Sequence, residues 1–150
     1  MLKIAKSKPV KNNDFKLIED HFCRALPEDI KNFIKNYNGD ITNGEYGVEL
    51  DFSTFDEKIR LTDGFCTVLH TREIIRQLGS IGYLEDFFEC FNLKRIEVEV
   101  ETLLPIMAAD GGGLNIYVSI GGAHANKLFV VDNGDFGICK TKYTLKSMMS

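Results

Sequence analysis

The residues whose types suit chemistry are few, scattered, and point to different reactions. Asp110-Gly111-Gly112-Gly113 could cradle a phosphate, because glycine lets backbone amides approach an anion closely. No Lys-Ser/Thr pair follows, as a phosphate loop requires, so these glycines read as the shapers of a tight turn. Cys66, His70 and His124 are candidates for a thiol nucleophile and its imidazole base, a pairing made in space and not in sequence. Ordinary packing of Cys66 and solvation of the histidines account for the same residues. His21 and Cys23 carry zinc-binding atoms but have no second ligand pair nearby, so neither a metal site nor a cofactor is expected. Among 22 Asp and Glu some two will always lie close, and nothing selects a pair for glycoside hydrolysis. A catalyst is therefore not expected.

What the acids do have is pattern. Tyr46, Val48, Leu50 and Phe52 alternate with Gly47, Glu49 and Asp51, the period of a half-buried strand. Ile96, Val98 and Val100 alternate with Glu97, Glu99 and Glu101 in the same way, so a second strand is expected to carry three carboxylates on its wet face. Glu45, Glu49, Asp51, Asp56 and Glu57 form one candidate contact surface, and Glu97, Glu99 and Glu101 a second. Plain solubilisation of the domain explains both sets equally well.

Charge is divided unevenly along the chain. Residues 1–16 hold five lysines and Asp14, so the remaining 134 carry 13 basic and 21 acidic side chains, a net -8. An acidic body repels phosphate backbones and anionic bilayers at long range, which counts against nucleic acid and membrane and favours a basic partner. The longest apolar run, near Leu103 to Ala109, is far short of the roughly 20 residues a bilayer span needs. Lys3, Lys6, Lys8 and Lys11 are not followed by the apolar core of a secretion signal, so the cytosol is expected. Cys23, Cys66, Cys90 and Cys139 are widely spaced and read as reduced, mostly buried thiols.

The elements that must position these residues follow from periodicity. Residues 1–13 read as a basic lead-in and 14–150 as one domain, long enough to bury about 70% of its unfolded surface. Asp14 can cap a helix with Phe15, Ile18 and Phe22 on one face. A second helix starts at Pro27, sets Ile30, Phe33, Ile34 and Tyr37 on one stripe, and stops at the left-handed signal Asn38-Gly39. An extended stretch covers Ile59 to Leu69 and is a candidate hairpin partner for the Tyr46 strand. Thr71 opens a helix through Ile74, Leu78 and Ile81, and after Gly82 a further helix is expected to align Leu84, Phe87, Phe88 and Phe91. Leu114, Ile116, Val118 and Ile120 form a strand after the glycine turn, Leu128 to Val131 a central one, and Asp132-Asn133-Gly134-Asp135 a closing turn. Helices first and strands in runs imply an α+β fold, an antiparallel sheet with helices packed mainly on one face and the other face partly open.

Two segments carry a resemblance: Leu26-Pro27-Glu28-Asp29-Ile30 through Tyr37-Asn38-Gly39, and Leu104-Pro105-Ile106 through Asp110-Gly111-Gly112-Gly113. With the Ile116 and Phe129 strands and Asp132 after them, they resemble the SUKH superfamily, also called the Smi/Knr type, over roughly residues 14–135. Met107 stands between Ile106 and Ala108, where that pattern runs straight into alanine. The resemblance implies structural roles for Leu26, Pro27, Asn38, Gly39, Pro105, Asp110, Gly112, Gly113 and Asp132. It also implies a scaffold with no common active site, whose bacterial members are immunity proteins that bind and neutralise toxin domains. The expected function is therefore binding of another protein, a toxin domain with a basic surface such as a nuclease. A Smi/Knr-type regulator or scaffold without a toxin target is the alternative. A small hydrolase, the reading from another class, predicts a deep polar pocket with perturbed ionisable groups.

Overall fold

A computed structural model of the chain describes residues 9–38, 47–49, 65–79, 89–90, 94, 97–109, 113–132 and 137–149. In chain order the elements are α1 (Asn12–Phe22), α2 (Glu28–Tyr37), β1 (Gly47–Glu49), β2 (Phe65–Val68), α3 (Thr71–Leu78) and β3 (Glu89–Cys90). β4 (Leu103–Ala109), β5 (Leu114–Ser119), β6 (Lys127–Asp132), β7 (Gly137–Thr144) and α4 (Leu145–Met149) complete them. The strands form one sheet in the order β1-β2-β4-β5-β6-β7-β3. Every pairing is antiparallel except the short edge contact of β3 with β7, which is parallel.

Helical spacing places Phe15 and Ile18 of α1, Ile30, Phe33 and Ile34 of α2, and Ile74 and Leu78 of α3 on buried faces. They pack in one core against Leu104, Ile106 and Met107 of β4, Ile116 and Val118 of β5, and Leu128 and Val130 of β6. Helices of 8 to 11 residues are marginal alone, so this burial, worth about 1.5–3 kcal/mol per large side chain, is what holds them. The fold is α+β with its helices on one face of the sheet.

The opposite face is not open where sequence alternation had it wet. Leu103, Tyr117, Phe129, Val131 and Ile138 are buried there as a second cluster, with Cys90, Val98 and Val100 packed against it. All six residues of β5 are buried, Asn115 and Ser119 included. The segment before β4 covers this face, which removes Glu97, Glu99 and Glu101 from the strand expected of them. Val100–Thr102 is a 3-10 turn instead, closed by the Thr102 amide donating to Glu99 O at 2.9 Å. Val98 and Val100 alternate because they cap a core, not because they lie in a sheet.

Two further expectations change. Residues 89–90 of the expected Leu84 to Phe91 helix are strand, paired with Gly137 and Ile138, while residues 81–88 and 91 lie outside the described residues. Lys11, not Asp14, occupies the N-cap of α1, and the Asp14 carboxylate is buried, accepting the Thr71 hydroxyl at 3.0 Å. Asn38 is the C-cap of α2, with an extended backbone (φ -60°, ψ 108°). Its buried amide accepts the Thr71 amide at 2.9 Å and donates to Pro9 O at 3.4 Å, tying the chain entry, the end of α2 and the start of α3 together. Gly39 is outside the described residues.

Met107 has a structural cause. The β4–β5 register shifts between Pro105 and Met107, a bulge that turns both Ile106 and Met107 into the helix-side core. Proline fits at such a break because the ladder there asks for no amide donor. On the other side of β4 the Ile106 carbonyl accepts the Leu69 amide at 2.9 Å, one step beyond the Val68–Met107 pair of the β2–β4 ladder.

Candidate binding surface

The antiparallel register brings four chain segments to one end of the sheet. Leu103 pairs with Ser119, Val118 with Leu128, and Lys127 with Thr144, so the start of β4, the β5–β6 connection and the end of β7 lie side by side. Thr102 O accepts the Ile120 amide at 2.8 Å, and Asn126 O accepts the Leu145 amide at 2.9 Å, locking the segments laterally. The junction of α1 and α2 joins them through Arg24, whose Nη2 donates to Ile120 O at 3.1 Å.

Gly121 and Gly122 lie at the centre of this end, and each is glycine for a different reason. A Cβ on Gly121 would fall 2.0 Å from the Arg24 guanidinium, and one on Gly122 would fall 2.0 Å from the Glu99 carboxylate. Gly122 also has φ +75°, a conformation that costs other residues about 1 kcal/mol or more. Glu99 Oε1 accepts the Ala123 amide at 3.4 Å, so this acid is half-buried and already engaged. Beneath it, Thr102 Oγ1 donates to Glu99 O at 2.7 Å and lies 2.9 Å from Ser119 Oγ, which donates to Gly121 O at 2.7 Å. Two hydroxyl protons serve three contacts, and the buried pair stitches the acidic segment to the glycine turn.

The predicted contact residues thus separate. Glu97 and Glu101 are exposed, and Glu97 folds back so that its Oε2 accepts the Lys94 amide at 2.8 Å. Glu99 is a clamp. Of the first candidate set only Glu49 falls among the described residues, on β1; Glu45, Asp51, Asp56 and Glu57 lie outside them. Leu26 is buried, and its amide donates to Glu19 Oε2 at 2.8 Å beside Pro27, the N-cap of α2. Pro105 marks the bulge, Gly113 the exposed turn before β5, and Asp132 the end of β6 paired with Gly137; Asp110 and Gly112 lie outside the described residues.

The candidate nucleophile pair does not assemble. Cys66 is buried opposite Ala109, whereas His124 sits at the far end of β4, about 20 Å away along a seven-residue strand. His70 Nδ1 accepts the Arg72 amide at 3.1 Å as the N-cap of α3, and His124 stacks edge-on against Phe129. Among the described residues no group of three or more His, Cys, Asp or Glu could hold a metal ion, and no helix is long and apolar enough to cross a membrane. On α3 the hydrogen bond from Arg76 lowers the carboxyl of Glu73, and Glu73 raises Arg76.

No family model and no curated protein matches the chain. What this surface offers a partner follows from its own charges. Glu97 and Glu101 are exposed on the β4 side, and Lys142 and Lys146 are exposed on the β7 side. Residue-by-residue reading missed Arg24, Ser119 and the lysines because they are far apart in sequence; the Gly121-Gly122 doublet between two strands was the available signal.

Proposed function

We propose that this chain is a non-catalytic protein-binding module of the SUKH type, acting in the cytosol as an immunity protein that neutralises a bacterial toxin domain with a basic surface. The observation that supports this reading is the Glu97 to Glu101 segment: two exposed carboxylates on a turn fastened through Glu99, Thr102 and Ser119 to the sheet end. A charged surface already held in place loses little conformational entropy on docking, and opposite charge accelerates encounter. Nucleases are the toxin class best suited, since clefts that hold nucleic acid are basic. The acidic body disfavours nucleic acid or membrane as the chain's own partner.

Co-expression is the test. The chain should bind and protect cells against a toxin domain encoded beside it, with Glu97→Lys/Glu101→Lys reducing protection. Absence of both binding and protection would remove the immunity reading. Binding to a non-toxin protein encoded nearby, without protection, would transfer the surface to a regulatory scaffold.

A further inference from the structure

The end of the sheet has a lateral order of charge. Following the strands β4, β5, β6 and β7, it runs from exposed Glu97 and Glu101, with exposed Lys94 beside Glu97, past exposed Arg24 on Ile120 O, through the turn of exposed Gly122, Ala123 and Ala125 with half-buried His124, to exposed Lys142 and Lys146 with half-buried Lys127 beside them. Residues 137–149 contain three lysines and no acid, on a body that is acidic overall. Three inter-strand spacings separate the two flanks, about 14 Å.

The lysine flank is shaped by a break in the β6–β7 ladder between Lys127 and Phe129. Two β7 residues more than β6 can match lie in this break, and the Thr141 hydroxyl closes it, donating to Leu128 O at 2.8 Å and accepting the Tyr143 amide at 3.0 Å. Lys142 is carried outward between them. Such irregularities re-aim side chains at strand ends.

From this order we propose that a second copy of the chain docks on this end of the sheet, about a two-fold axis through the Gly122 to Ala125 turn. A two-fold contact places each residue against a different one of the partner copy and repeats that contact in reverse. With acids on one flank and lysines on the other, the end is self-complementary under that operation: Glu97 and Glu101 of each copy face Lys142 and Lys146 of the other. Gly122, Ala123 and Ala125 are small and the His124 ring between them stacks on Phe129, so the two backbones can approach. Self-association and docking of a basic partner then draw on the same two carboxylates, so a basic partner separates the pair. The dimer itself does not depend on the immunity reading.

Sedimentation of the full chain at about 0.05 M and about 0.5 M salt tests this, since exposed charge pairs are screened over that range. We expect a dimer at low salt whose dissociation constant rises at least about ten-fold at high salt. Glu97→Lys/Glu101→Lys and Lys142→Glu/Lys146→Glu should each sediment as monomers, and an equimolar mixture of the two should recover the dimer. Glu28→Lys/Asp29→Lys on α2 should leave it unchanged. A second measurement uses carbodiimide on mixed light and heavy isotope-labelled chains, which should join Glu97 or Glu101 of one copy to Lys142 or Lys146 of another. A wild-type monomer at low salt up to about 1 mM, a dimer indifferent to both reversals, or crosslinks solely within one copy would each overturn the proposal.

Discussion

The Glu99 carboxylate occupies the volume that a side chain at Gly122 would need, and the same carboxylate accepts the Ala123 amide. Acid and turn are complementary shapes, so each specifies the other. Gly122→Ala meets both a left-handed backbone and this carboxylate and should destabilise the domain by about 1–3 kcal/mol in urea unfolding. Gly121→Ala needs no unusual φ and meets only the flexible end of Arg24, so it should cost less while releasing Arg24 from Ile120 O. Equal costs for the two substitutions would show that backbone strain contributes nothing at Gly122.

Asn38 should be the most sensitive polar residue of the helical layer. Asn38→Ala strips the Thr71 amide of its buried partner and releases Pro9 O, an expected loss of about 2–3 kcal/mol by urea titration. Asn38→Asp keeps the acceptor but not the donor, and brings a charge near the buried Asp14 that binds Thr71. It should recover little of the loss.

The α3 cap offers a smaller effect. His70→Ala removes the acceptor of the Arg72 amide and should lower stability by about 1 kcal/mol, whereas His70→Asn, which can cap through its side-chain oxygen, should retain most of it. A loss of the same size in both variants would place the contribution of His70 in packing.

Glu73 sets a pH dependence. The hydrogen bond from Arg76 is the largest cause holding its carboxyl below the ordinary 4.5, with burial opposing. A folded value below the unfolded one contributes stability that is fully present above the unfolded value and is lost as pH falls through the folded one. Glu73→Gln should therefore flatten the stability profile on the acid side of 4.5. The effect should be small and weaken with salt, because Arg76 is largely exposed.

Much of the fold is written in local periodicity. The i, i+3, i+4 stripe of Ile30, Phe33 and Ile34 determines a helix and its buried face, and the unbroken Leu128 to Val131 run determines a strand buried on both sides. These are properties of neighbouring residues, so the sequence alone decides them. The alternation of Ile96 to Glu101 has the same local form, yet residues 97–102 are a turned segment, because Val98 and Val100 are drawn onto Leu103, Tyr117 and Phe129 of three strands. Alternation reports which residues are apolar, not what they pack against. The role of Asn38 was hidden for a similar reason: Asn-Gly signals a helix stop locally, while its buried amide answers Thr71 and Pro9, 33 and 29 residues away. The site belongs to tertiary structure most of all. Arg24, Glu99 and the Gly121-Gly122 turn become neighbours, and Lys142 comes to the same end of the sheet, only when antiparallel register stacks the ends of β4 to β7, and which carboxylate is a clamp and which face solvent is decided by that stacking.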